Sequence, residues 1–178
     1  MNHRYTSTSI ALHWAMALGL AGTFALGFYM ADLSLSPTKL KLYSYHKWAG
    51  ITLLLFALAR LAWRVGHPAP GLPEGMPAIQ RLAAHAAHWV LYGLMLGIPL
   101  SGWLMSSAQG FPVVWFGLVP LPDLVAKNKE LGVVLGQIHV ILNYCLLAVV
   151  LVHIVAALKH HFIDNDGLLG RMLPWIKR

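Results

Sequence analysis

Two histidines in the last long apolar run have the spacing of metal ligands on one face of a helix. His139 and His153 are fourteen positions apart, and the stretch between Leu131 and Leu158 holds no charged residue. At 3.6 residues per turn they return to within about 40° of one face, roughly 21 Å apart along the axis. Imidazoles in hydrocarbon are costly, so each is a candidate functional residue. The pair suggests ligands for two stacked cofactors.

The composition is that of an integral membrane protein. Of 178 residues, 58% are hydrophobic and 11% are charged, whereas a soluble domain carries about 25% charged residues. The net charge of +7 could indicate nucleic-acid binding, but basic residues spread among helix ends fit membrane topology better. We therefore predict an all-α chain in membrane lipid, forming a single domain over residues 1–178, with no nucleic-acid partner.

Four apolar runs predict four transmembrane helices, at about residues 9–31, 42–63, 82–107 and 131–160. Polar or Pro- and Gly-rich segments separate them. The segment before the fourth helix, residues 109–130, is aromatic and is expected to lie on the membrane surface. No internal repeat is evident from the residues alone.

The distribution of basic residues predicts the orientation, because cytoplasmic loops carry an excess of Lys and Arg. Four spans place both termini on one side of the membrane. That side carries Arg4, Arg60, Arg64, Arg81, Lys159, Arg171, Lys177 and Arg178, and the other carries Lys39, Lys41, Lys47, Lys127 and Lys129. The excess predicts that both termini are cytoplasmic.

Depth in the membrane groups the span histidines into two pairs. His13 and His153 lie near the inner face, and His46 and His139 lie near the outer face. This pairing depends only on the alternating direction of the spans. Two bis-imidazole sites are what two b-type haems require, because each iron takes two axial nitrogens. We therefore predict a four-helix transmembrane bundle with two haem b groups, ligated by His13/His153 and His46/His139.

Other chemistries remain open for these histidines. A structural zinc ion takes four ligands, commonly including thiolates, and each depth offers two clear histidines. A proton relay usually shows carboxylates within the spans, and this sequence has none there. Isolated histidines satisfied by the backbone are the plain structural alternative. His85 and His88 lie at the inner end of the third span, where either could replace His13 or serve a quinone site.

The same spacing of fourteen selects small or basic residues on the other spans. It leads from His13 to Gly27, from His88 to Gly102 and from His46 to Arg60. Glycine would let a flat macrocycle approach the backbone, and Gly50, one turn from His46, could do the same. Ordinary helix packing explains these glycines equally well. Arg60 would face a haem carboxylate or an incoming substrate.

A quinone site is expected at the inner interface. His160 lies within about 20° of the face of His153, where its imidazole could hydrogen-bond a quinone headgroup near Arg60 and Arg64. A solvated interfacial histidine is the alternative for His160.

Several segments together resemble the bacterial cytochrome b561 family over nearly the whole chain. They are ALHW, YHKWAG, RLAWR with HPAP after it, PLSGWLM, WFG, the two histidines of the fourth span, and AALKHHFIDNDGLLGRMLP. The resemblance implies a di-haem electron carrier of the bacterial inner (cytoplasmic) membrane. The family's haem ligands fall on His13, His46, His139 and His153.

In size and motif the chain resembles the superoxide oxidases of this family. This resemblance implies a superoxide:ubiquinone oxidoreductase, which oxidises superoxide to dioxygen at the periplasmic face and passes electrons through both haems to ubiquinone. The five outer lysines would make the outer mouth positive, which raises the on-rate of a small anion. Two alternatives are a non-enzymatic cytochrome linking the quinone pool to a periplasmic redox protein, and a haem or metal transporter.

Overall fold

The computed structural model describes residues 4–73 and 75–173, and four long α-helices dominate this part of the chain. They are α1 (Ser7–Ala31), α2 (Pro37–Gly66), α3 (Ala78–Gln109) and α4 (Lys129–Lys159). All four are long and apolar enough to cross a membrane, since a span needs about 20 apolar residues. The predicted fold class, an all-α bundle of four transmembrane helices, is confirmed. Lys177 and Arg178, used above for orientation, lie outside the described residues.

Each helix begins before its predicted apolar run, because the capping residues lie in the polar flanks. The side chains of Thr6, Ser36 and Asn128 accept hydrogen bonds from the first-turn backbone of α1, α2 and α4. Such caps satisfy backbone N–H groups that have no partner within the helix. Gly110 follows α3, and its positive φ of 75° is typical of a glycine after a helix C-terminus.

The segment between α3 and α4 forms a small β-hairpin, which the sequence did not predict. Its strands are β1 (Val114–Trp115) and β2 (Val119–Pro120), paired antiparallel. Phe116 and Gly117 both have positive φ, 52° and 72°, and they lie in the three-residue connection between the paired residues Trp115 and Val119. A bulky residue such as Phe116 rarely adopts a positive φ, so the sequence did not indicate this turn. Trp48 Nε1 donates to the Val114 carbonyl at 2.6 Å, which holds the hairpin against α2.

The chain after α4 folds back along the inner end of the bundle. A π-helix spans His160–Asp164 and a short 3-10 helix spans Leu169–Arg171. Trp14 Nε1 donates to the Met172 carbonyl at 2.9 Å, and Arg171 Nη1 donates to the Gly71 carbonyl at 2.6 Å. These bonds tie the segment to α1 and to the connection between α2 and α3.

The helices pack as two antiparallel hairpins joined along one edge. α3 packs most extensively on α4, α1 packs less extensively on α2, and α2 packs against α3. Most of the buried helix residues lie on α2 and α3, while α1 and α4 leave most of their apolar surface exposed. In a membrane that surface faces lipid.

Candidate cofactor sites

The structure brings together both histidine pairs that depth predicts. His46 on α2 and His139 on α4 have ring centres 6.3 Å apart, with planes inclined at 80°. His13 on α1 and His153 on α4 have ring centres 6.4 Å apart, with planes at 63°. The outer and inner pairs therefore have nearly the same separation, at opposite ends of the bundle.

These separations fit one metal ion between the two rings of each pair. A metal about 2 Å from a nitrogen of each imidazole, with each ring centre about 1 Å behind its nitrogen, puts the centres about 6 Å apart. The remaining ligands at each site would have to come from the bound group itself. Two imidazoles at this separation would suit a b-type haem, whose iron takes two such ligands from the protein.

His139 is fixed by two hydrogen-bonding groups on α3. Its Nδ1 lies 2.9 Å from Ser101 Oγ and 3.1 Å from the Ile98 carbonyl oxygen. Because a carbonyl can only accept, Nδ1 carries the proton and Nε2 keeps its lone pair. A metal-bound histidine needs this arrangement, in which the far nitrogen is anchored and the near one is free.

His46 has a similar setting with weaker anchoring. Its Nδ1 is buried and makes no hydrogen bond of good geometry with any described residue. The Thr23 carbonyl on α1 is the backbone group beside it. The ring is therefore placed by packing more than by hydrogen bonding.

The glycines selected by the spacing of fourteen make room for these imidazoles. A Cβ on Gly27 would lie 3.3 Å from Cε1 of His46, and one on Gly102 would lie 3.1 Å from Cε1 of His139. In both cases Cε1 and Nδ1 are the ring atoms nearest to the glycine. A Cβ on Gly50 would meet nothing within 4 Å, so space beside α2 is open there.

Two further basic side chains join the inner pair. The ring of His88 on α3 lies 5.6 Å from that of His153. Arg60 on α2 lies in electrostatic range of His13, His88 and His153, and its Nη1 donates to the Ser9 carbonyl at 2.8 Å. His85 is exposed. Of the two rival histidines, His88 is therefore the one that packs against the inner pair.

The three residues expected at the quinone site divide into two groups. Arg60 and Arg64 line one small cavity at the inner end, together with Tyr5, Ser9, His67 and Tyr92. His160 is not among its lining residues. Its Nδ1 instead lies 2.6 Å from Asp166 and 3.0 Å from Asp164. Asp164, four residues after His160, would share its face in an ordinary α-helix. The contact with Asp166 depends on the π-helix and the turn at Asn165, which the sequence did not predict.

The two helical hairpins repeat one arrangement, which the sequence alone did not reveal. α1 and α3 each carry His-Trp followed by glycine fourteen positions after the histidine, at His13 and His88. α2 and α4 each carry a histidine that packs its Cε1 and Nδ1 against that glycine. The expectation of no internal repeat in the sequence stays a prediction, because only these few positions correspond. Few residues other than these are shared, so the repeat is visible mainly in the contacts.

The lysines near the outer pair bind backbone carbonyls. Lys47 Nζ donates to Ser106 Oγ at 2.9 Å and to the Phe111 carbonyl at 3.1 Å. Lys39 Nζ donates to the Ala31 carbonyl at 3.1 Å. The acceptors are carbonyl and hydroxyl oxygens, which carry no net charge. The two lysines are therefore held at the outer end of the bundle with their positive charge not neutralised.

Comparison with known proteins agrees with this architecture. The family model described as prokaryotic cytochrome b561 matches residues 4–175. The chain is 40% identical over 172 residues to "Cytochrome b561 homolog 2" of Escherichia coli (strain K12), covering 96% of this chain and 91% of that protein. It is 31% identical over 179 residues to "Cytochrome b561 homolog 1" of the same organism, covering 97% and 98%.

A third relative carries a more specific name. The chain is 28% identical over 185 residues to "Probable superoxide oxidase CybB" of Yersinia pestis, covering 98% of both proteins. Together with the four apolar helices, these matches extend over nearly the whole chain. The chain thus belongs to the prokaryotic cytochrome b561 family of membrane electron-transfer proteins, which bind b-type haem.

Proposed function

We propose that this protein carries electrons across the bacterial inner membrane through two b-type haems. His46 and His139 hold the outer haem, His13 and His153 hold the inner one, and both termini lie in the cytoplasm. The observation that carries the proposal is the presence of two imidazole pairs, at 6.3 and 6.4 Å, at opposite ends of one bundle. His88 is the alternative inner ligand, given its contact with His153.

The haems, when bound, would supply one-electron redox chemistry, and the protein would control which donors and acceptors can approach them. With two histidines holding each haem, each site would favour electron transfer over binding of dioxygen. Gly50 leaves open space beside α2 near the outer site. At the inner site, Arg60 supplies positive charge that could offset a haem carboxylate.

A haem count with an absorption spectrum tests this proposal. Purified protein is expected to contain two haems per chain, both low-spin. Replacing His46 with alanine should remove the outer haem and leave the inner one. One haem per chain in the unmodified protein, or equal loss of both in the variant, would contradict the assignment.

We further propose that the electron donor is superoxide and the acceptor is ubiquinone. Two superoxide anions each lose one electron to become dioxygen, and the quinone gains both electrons with two protons from the cytoplasmic side. The outer lysines, with Lys47 held by Ser106 and the Phe111 carbonyl at that end of the bundle, would attract an anion. The relative named as a probable superoxide oxidase supports this choice of donor. The acceptor would lie at the inner end, near the cavity of Arg60 and Arg64 and near His160.

Stopped-flow mixing with superoxide tests the donor. The expected result is quinone reduction that exceeds a haem-free control and slows as salt is raised, since salt screens steering by exposed charge. Lys41→Gln should lower the rate modestly, because Lys41 is an exposed outer lysine; the cytoplasmic-side Arg81→Gln serves as its control. Rapid haem reduction by a periplasmic redox protein, with no response to superoxide, would instead favour the electron-transfer cytochrome.

A further inference from the structure

Ser101 is a buried polar residue whose contacts point to the outer site. Its relative exposure is 6%, and two other serines of α3, Ser106 and Ser107, are also buried. Ser106 Oγ bonds the Phe111 carbonyl and Ser107 Oγ accepts from the Leu124 N–H, so both hold the loop after α3. Ser101 instead lies 2.9 Å from Nδ1 of His139.

The directions of the hydrogen bonds at Ser101 follow from its single proton. Ser101 Oγ lies 2.7 Å from the Ile98 carbonyl oxygen, which can only accept, so the hydroxyl proton points there. The oxygen lone pairs then accept the Nδ1–H of His139. That N–H is also 3.1 Å from the Ile98 carbonyl, and the imidazole proton is shared between two acceptors.

The equivalent position in the other hairpin has no hydroxyl. Ser101 immediately precedes Gly102, and the residue that precedes Gly27 on α1 is Leu26. Leucine can accept no proton, and Nδ1 of His46 is correspondingly left without a hydrogen bond of good geometry among the described residues. The two histidines of the outer pair are thus alike in position and unlike in anchoring.

We propose that Ser101 is a positioning residue that holds His139 as the Nδ1–H tautomer and strengthens Nε2 as a donor to the outer haem iron. An accepted Nδ1–H bond raises the basicity of the ring, and a more basic axial ligand favours the oxidised iron. Ser101 therefore lowers the reduction potential of the outer haem relative to a site without it. The proposal rests on the assignment of His46 and His139 as the outer ligands.

Redox titration of purified Ser101→Ala protein tests this role. The midpoint of the outer haem is expected to rise while that of the inner haem stays unchanged, and the outer haem should be retained roughly 10-fold less tightly. Ser101→Thr, which keeps a hydroxyl, should restore the original midpoint. Ser107→Ala removes another buried α3 hydroxyl and should leave both midpoints unchanged.

The reciprocal variant keeps the test decisive if Ser101→Ala folds poorly. Leu26→Ser places a hydroxyl beside His46 and is expected to lower the outer midpoint. With two haems present, unchanged outer midpoints in both Ser101→Ala and Leu26→Ser would overturn the proposal. If the His46→Ala and His139→Ala proteins each keep two bis-histidine haems, the ligand assignment fails instead, and the proposal fails with it.

Discussion

The hairpin of α1 and α2 and the hairpin of α3 and α4 are built on one plan but hold their histidines differently. In both, a glycine on the first helix receives the imidazole edge of a histidine on the second. In the second hairpin the helices pack more extensively, and His139 has two hydrogen-bonding partners. In the first hairpin, Nδ1 of His46 makes no hydrogen bond of good geometry with any described residue, and Arg60 occupies the position of α2 that corresponds to His153 of α4.

This difference shows how a symmetric scaffold can hold two unlike sites. The outer pair joins equivalent positions of the two hairpins, one from α2 and one from α4. The inner pair joins non-equivalent positions, since α1 supplies His13 in place of a second histidine on α2. α4 is therefore the only described helix that contributes to both pairs.

Loss of His153 should have the largest effect of any single change at the inner site. His153→Ala leaves Arg60 at the equivalent position of α2, and a guanidinium does not ligate iron, so the inner haem should be lost entirely. His13→Ala is expected to keep a fraction of the inner haem, because the His88 ring lies 5.6 Å from that of His153. The measurement is haem per chain by absorption spectroscopy.

The double variant His13→Ala/His88→Ala controls this comparison, and it should show no inner haem. Equal haem loss in His13→Ala and His153→Ala would show that His88 cannot substitute. His88 of the second hairpin would then not share the ligand role of His13, the corresponding residue of the first hairpin.

The sequence was sufficient for the four helices and for both histidine pairs. Apolar length fixes the spans, and fixed helical rise converts a spacing of fourteen into opposite depths. It could not supply features that depend on the approach of two helices. Ser101, for example, is an ordinary small residue until α4 places His139 against it.

The same limit applies to the loops and to the quinone residues. A positive φ at Phe116 departs from the usual composition of hairpin turns, so no residue pattern predicted the hairpin. Helical phase placed His160 on the face of His153, but the structure engages its Nδ1 with Asp164 and Asp166. Whether Arg60, Arg64 and His160 act on one quinone stays a prediction.

Adding a methyl group to each glycine should affect the two hairpins unequally. In Gly102→Ala, the new Cβ would lie 3.1 Å from the His139 ring, which is pinned by Ser101 and Ile98 and cannot easily yield. Overpacking of this kind costs about 1–3 kcal/mol. Gly27→Ala should cost less, because its Cβ would lie 3.3 Å from His46 and that ring is free to shift.

Thermal unfolding of both glycine variants in detergent, with haem release followed in parallel, measures this difference. Gly22→Ala is the matched control on α1, since a Cβ there would meet nothing within 4 Å. Greater destabilisation by Gly27→Ala than by Gly102→Ala would mean that the outer histidines are anchored in the opposite order.

Arg60 should influence the inner haem alone. Arg60→Gln removes a positive charge that acts on His13 and His153, and positive charge stabilises the reduced form of a nearby haem. The inner midpoint should therefore fall, by an energy on the order of 1–2 kcal/mol at an effective dielectric constant near 20. Redox titration should show an unchanged outer midpoint. A shift in the midpoint of the outer haem, with that of the inner haem unchanged, would contradict the assignment of Arg60 to the inner site.

The smallest effect is expected where the outer β-hairpin joins the two halves of the bundle. Trp48→Phe removes the 2.6 Å bond from α2 to the Val114 carbonyl, at a net cost of about 1 kcal/mol. Trp103→Phe is the matched control, because Trp103 Nε1 bonds the Pro122 carbonyl between α3 and its own loop. Hydrogen exchange of residues 114–120 should quicken more in Trp48→Phe. Equal exchange in the two variants would mean that the Trp48 bond is dispensable, and that the bond from Trp115 Nε1 to Thr52 Oγ1 on α2 is enough to hold the hairpin.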